Sequence, residues 1–248
     1  SMKKWIEFIR DTRMKDDIVV CDVYGDWCMP PESPELIWSK DPARVTDGRL
    51  LGTSFYYRLL HTMARFAELT GNGADAADFL AQAARVKKAY NDMFLHAEEG
   101  SYANNTVTAN IISLMQGLVP DSLAGRVFAN VVEKTKGEFG SHVSTGLIGI
   151  QFLMRGLTQY GAGDLAYTIA TNRTYPSWGY MADKGATTIW ELWNGDTADP
   201  AMNSGNHVML LGDLVVWYYE NLAGIRSDAE QAGFKKIVMD PYFPEGLD

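Results

Sequence analysis

GRLLGTSFYYRLLHTMARFAELTGNGADAADFLAQAARVKKAYNDMFL, residues 48–95, decides the fold class. Leu50, Leu51, Phe55, Leu59, Leu60, Met63, Phe66 and Ala67 recur at three- and four-residue steps, which predicts a helix over residues 48–70. Gly71-Asn72-Gly73 stops it, because glycine and asparagine tolerate the left-handed backbone that ends helices. A second helix is predicted over 74–95, with aspartates early and lysines late, as the helix dipole favours. Two helices joined so tightly lie antiparallel.

The same pattern extends in both directions. Trp5, Ile6, Phe8 and Ile9 share one stripe of an amphipathic helix over 3–14. Further helices are predicted over 106–117, 121–136, 145–160 and 162–173, broken at glycine- and proline-containing joints. A last long helix is predicted from Met202 to Leu222, before GFKKIVMDPYF (233–243) turns to a β pattern. Two stretches stand apart. Residues 17–45 are β-rich, then glycine-broken and proline-rich, which predicts a short hairpin or extended piece followed by a long ordered loop. Residues 174–200 form a second loop, dense in Trp, Gly and Asp. The order is thus helix, long loop, six helices, long loop, helix, strand. It excludes a parallel α/β sheet, and the lack of a fixed-period repeat argues against a solenoid. An all-α antiparallel array remains. An α/α toroid with chemistry on its rim loops fits this order, and so, on periodicity alone, does an irregular bundle.

With 248 residues, 46 % of them apolar, the chain can bury one sizeable core. Its formal charge of −9, with no Lys/Arg cluster, argues against nucleic acid and against an anionic membrane surface as partners. No stretch reaches the roughly 20 apolar residues of a membrane span. Lys3 and Lys4 lead straight into an amphipathic helix instead of the apolar core of a signal peptide, and the compartment stays open. Cys21 and Cys28 read as free thiols flanking a loop, and no metal or other cofactor is expected.

The two long loops concentrate the chemistry. Residues 174–200 hold Tyr175, Trp178, Tyr180, Trp190, Trp193, Asp183, Glu191, Asp196 and Asp199. Residues 22–38 hold Tyr24, Trp27, Trp38, Asp22, Asp26, Glu32 and Glu35, so five of the seven tryptophans lie in these two loops. Flat aromatic faces stack on the C–H faces of sugar rings while carboxylates accept from their hydroxyls, so the combination suits carbohydrate. Tryptophans that simply plug the core would explain the composition equally well. Glycoside hydrolysis needs two carboxyl groups across the scissile bond. Glu191, between Trp190 and Trp193, is the best single candidate for one of them. His142 is read as a cap or core histidine.

PSWGYMADKGATTIWELWNG (176–195) and MNSGNHVMLLGDLVVWYYENLAGI (202–225) resemble the bacterial α-L-rhamnosidase family. YGDW (24–27) and STGLIGIQFLMRGLTQYGAGDLAY (144–167) extend the resemblance through the chain in the right order. GATTIWE is its most specific element. The resemblance implies an (α/α)6 toroid and inverting hydrolysis of terminal α-L-rhamnose from an oligosaccharide, polysaccharide or glycoside. Glu191 matches the family's general base. His207 matches a contact to a sugar hydroxyl, and Asp26 and Trp27 fall where the family lines the rhamnose subsite. Trp190 and Trp193 would be walls of that pocket, and Trp178 a further wall or a loop plug.

One departure bears on catalysis. The family's general acid stands in an RDERLGW-type motif upstream of GDW, and no such motif occurs here. The resemblance therefore implies a toroid domain over residues 1–228, incomplete at its N-terminal side, and over 229–248 the start of a C-terminal β-sandwich. Two other classes fit the residues: a noncatalytic carbohydrate-binding or scaffold helical domain, and an α/α-toroid glycosidase for another sugar.

Overall fold

The computed structural model describes residues 2–36, 38–39, 41–199, 201, 204–231 and 233–247, with backbone alone for 208–212. The chain divides into two compact units: Ser1–Trp27 with Ala43–Asn130, and Cys28–Pro42 with Val131–Asp248.

In the first unit, α1 (Met2–Arg13) runs into a hairpin of β1 (Met14–Lys15) and β2 (Ile18–Val19). Asp16 and Asp17 turn it with positive φ of 52° and 60°, the two-residue turn whose twist suits paired strands. Helices α2 (Gly48–Leu69) and α3 (Gly73–Phe94) form the expected antiparallel hairpin. Asp47 caps α2 by accepting from the Arg49 amide at 2.8 Å. The buried residues Leu50, Leu60, Phe79, Val86 and Tyr90 supply its seam. A hairpin that periodicity does not disclose follows, β3 (Leu95–His96) with β4 (Ser101–Tyr102). Each strand is two residues long, too short for alternation to register. Thr106 then caps α4 (Val107–Met115), which is buried along almost its whole length. Tyr90 in α3 meets Ser113 of α4 at 2.6 Å, and burial pushes its phenol pKa far up.

The division between the units falls inside α5 (Asp121–Gly137). In the second unit, α6 (Leu147–Gln159) packs on α7 (Gly163–Thr171) and α9 (Val208–Trp217). Trp217 is fully buried and donates Nε1–H to Thr158 of α6 at 2.8 Å. A π-helical turn, Tyr218–Leu222, extends α9. The segment read as a loop over 174–200 contains a short helix, α8 (Trp178–Asp183), capped by Ser177. The last long helix begins at Val208 instead of 202. The main chains of Ser204 and His207 bond to Glu191 and Ile189 instead of in a helical ladder, while Met202 and Asn203 lie outside the described residues. The C-terminal β pattern is a hairpin of β5 (Ile225–Ser227) and β6 (Ile237–Met239). The division expected at 228/229 falls within this hairpin, so both of its sides are tied by the same ladder. Beyond it Tyr242 donates to Asp164, at the start of α7, at 2.9 Å.

Candidate active site around Glu191

Two tracts read from the sequence as separate come together inside the second unit. Asn194 donates to the carbonyls of Pro34 at 2.9 Å and Leu36 at 2.6 Å, and Tyr175 donates to that of Pro31 at 3.1 Å. Cys28, Leu192 and Ala198 form a small buried cluster beneath these bonds. The proline-rich stretch is thus a tether for the Trp-rich one. Its prolines lack amide donors, and their carbonyls serve as acceptors.

Glu191 sits where this tract is zipped to the start of α9. The His207 amide donates to Ile189 O at 2.6 Å, and the Glu191 amide donates to Ser204 O at 2.9 Å. The Ser204 amide returns to the Glu191 carboxylate, reaching Oε2 at 3.0 Å. His207 Nδ1 lies 4.0 Å from the same oxygen, and the two side chains are 24 % and 23 % exposed. This geometry joins Glu191 and His207, 16 residues apart, at one partly open spot.

Two other acids of the tract, Asp183 and Asp196, have both oxygens bonded. Asp183 takes a two-pronged bond from Arg173, one prong at 3.0 Å. Asp196 accepts the Tyr180 hydroxyl at 2.9 Å on each oxygen and stands 3.6 Å from Lys184. Burial, then this carboxylate, pushes the Tyr180 phenol up to about 12. Asp199 accepts from the Ala201 amide at 2.9 Å in a local turn. Among the described residues, Glu191 and Asp199 each have one carboxylate oxygen held by a backbone amide and the other without a hydrogen bond, but Asp199 is exposed while Glu191 is partly buried beside His207.

Of the expected aromatic walls, Trp190 is half-buried and adjoins Glu191. Trp193 corrects the sequence reading, and Trp178 takes the second of its two readings, the plug. They are 1 % and 6 % exposed and meet edge to face with centroids 5.2 Å apart. Rings so enclosed are core, and neither offers a face to a sugar. Asp26 and Trp27 belong to the first unit, on the YGDW turn. Asp22 accepts the amides of Tyr24 and Gly25 at 3.0 and 3.2 Å. Trp27 is 39 % exposed beside Tyr24, and Asp26 accepts a hydrogen bond from Thr108. His142 is neither cap nor core; it is partly exposed and bridges Gly140 O at 2.9 Å and Thr174 Oγ1 at 2.7 Å. Neither cysteine forms a disulfide; Cys21 is exposed and Cys28 buried. Among the described residues no group of His, Cys, Asp or Glu is placed to hold a metal ion, and no helix is long and apolar enough to cross a membrane.

Residues 1–222 match the family described as the bacterial α-L-rhamnosidase six-hairpin glycosidase domain. The chain belongs to that family. An α-L-rhamnosidase of Streptomyces avermitilis is 33 % identical over 97 % of the chain, which covers 22 % of that relative. An α-L-rhamnosidase structure from Dictyoglumus thermophilum superposes with TM-score 0.81 and 34 % identity, over 91 % of this chain and 25 % of that one. A Streptomyces avermitilis α-L-rhamnosidase structure, complexed with L-rhamnose, gives TM-score 0.85 and 30 % identity over 98 % and 22 %. The rhamnosidase family membership and these likenesses give the all-α helices of both units their architecture, an α/α-toroid type of domain. The chain spans about a quarter of the length of the relatives it matches.

Sequence reasoning missed three residues around Glu191: Thr188, Ser204 and Asn206. Thr188 donates to Asn206 Oδ1 at 3.1 Å, and the Ser204 hydroxyl bonds the main chain of Asn206 at 3.3 Å. Small polar residues in a loop carry no periodic signal. Only the pairing of residues 189–191 with 204–207 gives them a place.

Proposed function

We propose that this chain is the base-bearing part of an inverting α-L-rhamnosidase. Glu191 takes a proton from the water that attacks the anomeric carbon of a terminal α-L-rhamnose, and the general acid lies upstream of this chain. The observation that carries the reading is the partly buried setting of the Glu191 carboxylate. It is held through Oε2 and, among the described residues, keeps Oε1 open, beside a histidine and a half-buried tryptophan. A general base must reach its water within hydrogen-bond distance, and an open oxygen on a fixed carboxylate meets that requirement. In inverting enzymes the second carboxyl group stands roughly 6.5–9.5 Å away, leaving room for the water. His207 contacts a sugar hydroxyl, and Trp190 offers an apolar face to the ring. Asp26 and Trp27 are assigned to sugar contact on the family resemblance. A rhamnose-bound relative and relatives named as α-L-rhamnosidases support the choice of sugar.

The test uses the enzyme that carries this chain. Glu191→Gln keeps the shape of the side chain and the Ser204 bond but cannot take a proton. Turnover of α-L-rhamnosides should fall by about 10²–10⁴-fold while binding of L-rhamnose, read by tryptophan fluorescence, persists. The 248-residue chain alone should bind L-rhamnose more strongly than D-mannose and hydrolyse natural rhamnosides negligibly. A fully active Glu191→Gln, or a stronger response to D-mannose, overturns the reading.

A further inference from the structure

We propose that Thr188, Ser204 and Asn206 form a latch that positions the Glu191 carboxylate, fixing Oε2 so that Oε1 faces the water. The inference rests on the general-base reading and adds what holds that base. A glutamate side chain turns about three bonds, and an unrestrained one spreads its two oxygens over many directions. Here one donor among the described residues, the Ser204 amide, fixes Oε2 at 3.0 Å. A backbone amide has no rotamers of its own, so its aim depends only on how the 204–206 turn is set.

That turn is set from both ends. The main chains of the two tracts are joined at Glu191 N to Ser204 O, 2.9 Å, and at His207 N to Ile189 O, 2.6 Å. Within the turn, the Ser204 hydroxyl accepts the Asn206 amide and donates to the Asn206 carbonyl, both at 3.3 Å. These bonds are long, and alone they would leave the turn loosely held. The Asn206 side chain closes the arrangement by accepting the Thr188 hydroxyl at 3.1 Å. Thr188 lies three residues before Glu191, so the GATTIWE motif supplies both the base and the anchor of the turn that aims it. None of the three side chains touches the carboxylate, which makes them positioning residues.

Thr188→Val removes the hydroxyl at nearly constant volume, Thr188→Ser keeps it, and Ser204→Ala removes the turn hydroxyl. In the 15N-labelled 248-residue chain the Ser204 amide resonance should move with pH as Glu191 ionises. It should stay still in Glu191→Gln, move less in Thr188→Val and Ser204→Ala, and recover in Thr188→Ser. Amide dispersion in the same spectra establishes that each variant is folded. In the enzyme that carries this chain, Thr188→Val should lower kcat on p-nitrophenyl α-L-rhamnoside by about 10- to 100-fold, the scale for a misaimed group, with KM nearly unchanged. Thr188→Ser should restore most of it. A strut that merely supports the loop would shift KM or stability and show no such split or rescue. A wild-type Ser204 amide indifferent to pH overturns the proposal, and so does a Thr188→Val enzyme with wild-type kcat beside an inactive Glu191→Gln. A fully active Glu191→Gln fells the general-base reading itself, and the latch with it.

Discussion

Replacing Trp193 separates a wall of the sugar site from a piece of the core. The indole is 1 % exposed and packs edge to face on Trp178 at 5.2 Å, yet its Nε1–H is buried with no hydrogen-bond partner among the described residues. Cutting it to alanine removes nearly the whole side chain from a packed site, a loss of about 3–5 kcal/mol once the cavity is included. Phenylalanine keeps a ring against Trp178. It gives up two carbons, about 1.6 kcal/mol at roughly 0.8 kcal/mol each. It also removes the stranded donor, whose burial costs about 1–3 kcal/mol. The two effects offset, so Trp193→Phe should lie within about 1 kcal/mol of wild type, while Trp193→Ala loses several times that. Urea unfolding followed by far-UV circular dichroism reads both, provided the slopes agree. Phenylalanine as damaging as alanine would refute the stranded donor. Alanine with wild-type stability but weakened L-rhamnose binding would refute the core assignment and restore Trp193 to the sugar.

Two smaller perturbations test the elements that carry the first unit. Asp47→Ala removes the cap of α2 and should cost about 1 kcal/mol at neutral pH, read by chemical denaturation. The bond from Arg49 holds the Asp47 pKa below the usual carboxylate value, so this contribution is complete above the unfolded pKa, about 3.9. It fades as pH falls through the lower folded value, where wild type and variant should converge in stability. Gly25→Ala should destabilise by at least about 1–2 kcal/mol, because Gly25 stands at a φ of +59°. A Cβ there would also lie 2.6 Å from the Thr46 carbonyl, so thermal unfolding of this variant should begin well below wild type.

Helix positions were legible wherever periodicity had room to act. The spacing predicts 48–70 and 121–136, and the structure has Gly48–Leu69 and Asp121–Gly137. Periodicity failed where elements are shorter than two turns or where long-range bonds compete. The six residues of α8 give too few repeats to show a face. The start of α9 was set too early because Ser204 and His207 look helical in isolation, yet their main chains bond to Glu191 and Ile189. In the site, Glu191 stood out through the motif around it, not through its chemistry, since three other acids share its loop. What sets those acids aside are Arg173 on Asp183, Tyr180 on Asp196 and the exposure of Asp199, none of which a spacing rule assigns. The burial of Trp178 and Trp193 was equally hidden. A tryptophan in a loop reads the same whether it faces a ligand or its neighbour.

The zipper between residues 189–191 and 204–207 also separates length from position. Everything between Glu191 and Ser204 is a closed excursion whose ends are fixed by main-chain bonds. Its near half is pinned by Leu192, Asn194 and Ala198 against the 28–36 tract. Closing a longer flexible loop costs only about 0.6 kcal/mol for each doubling of its length. The length of this excursion can therefore change while the main-chain bonds at its ends keep the carboxylate in place. A fold built this way can change what it admits without renegotiating how it reacts.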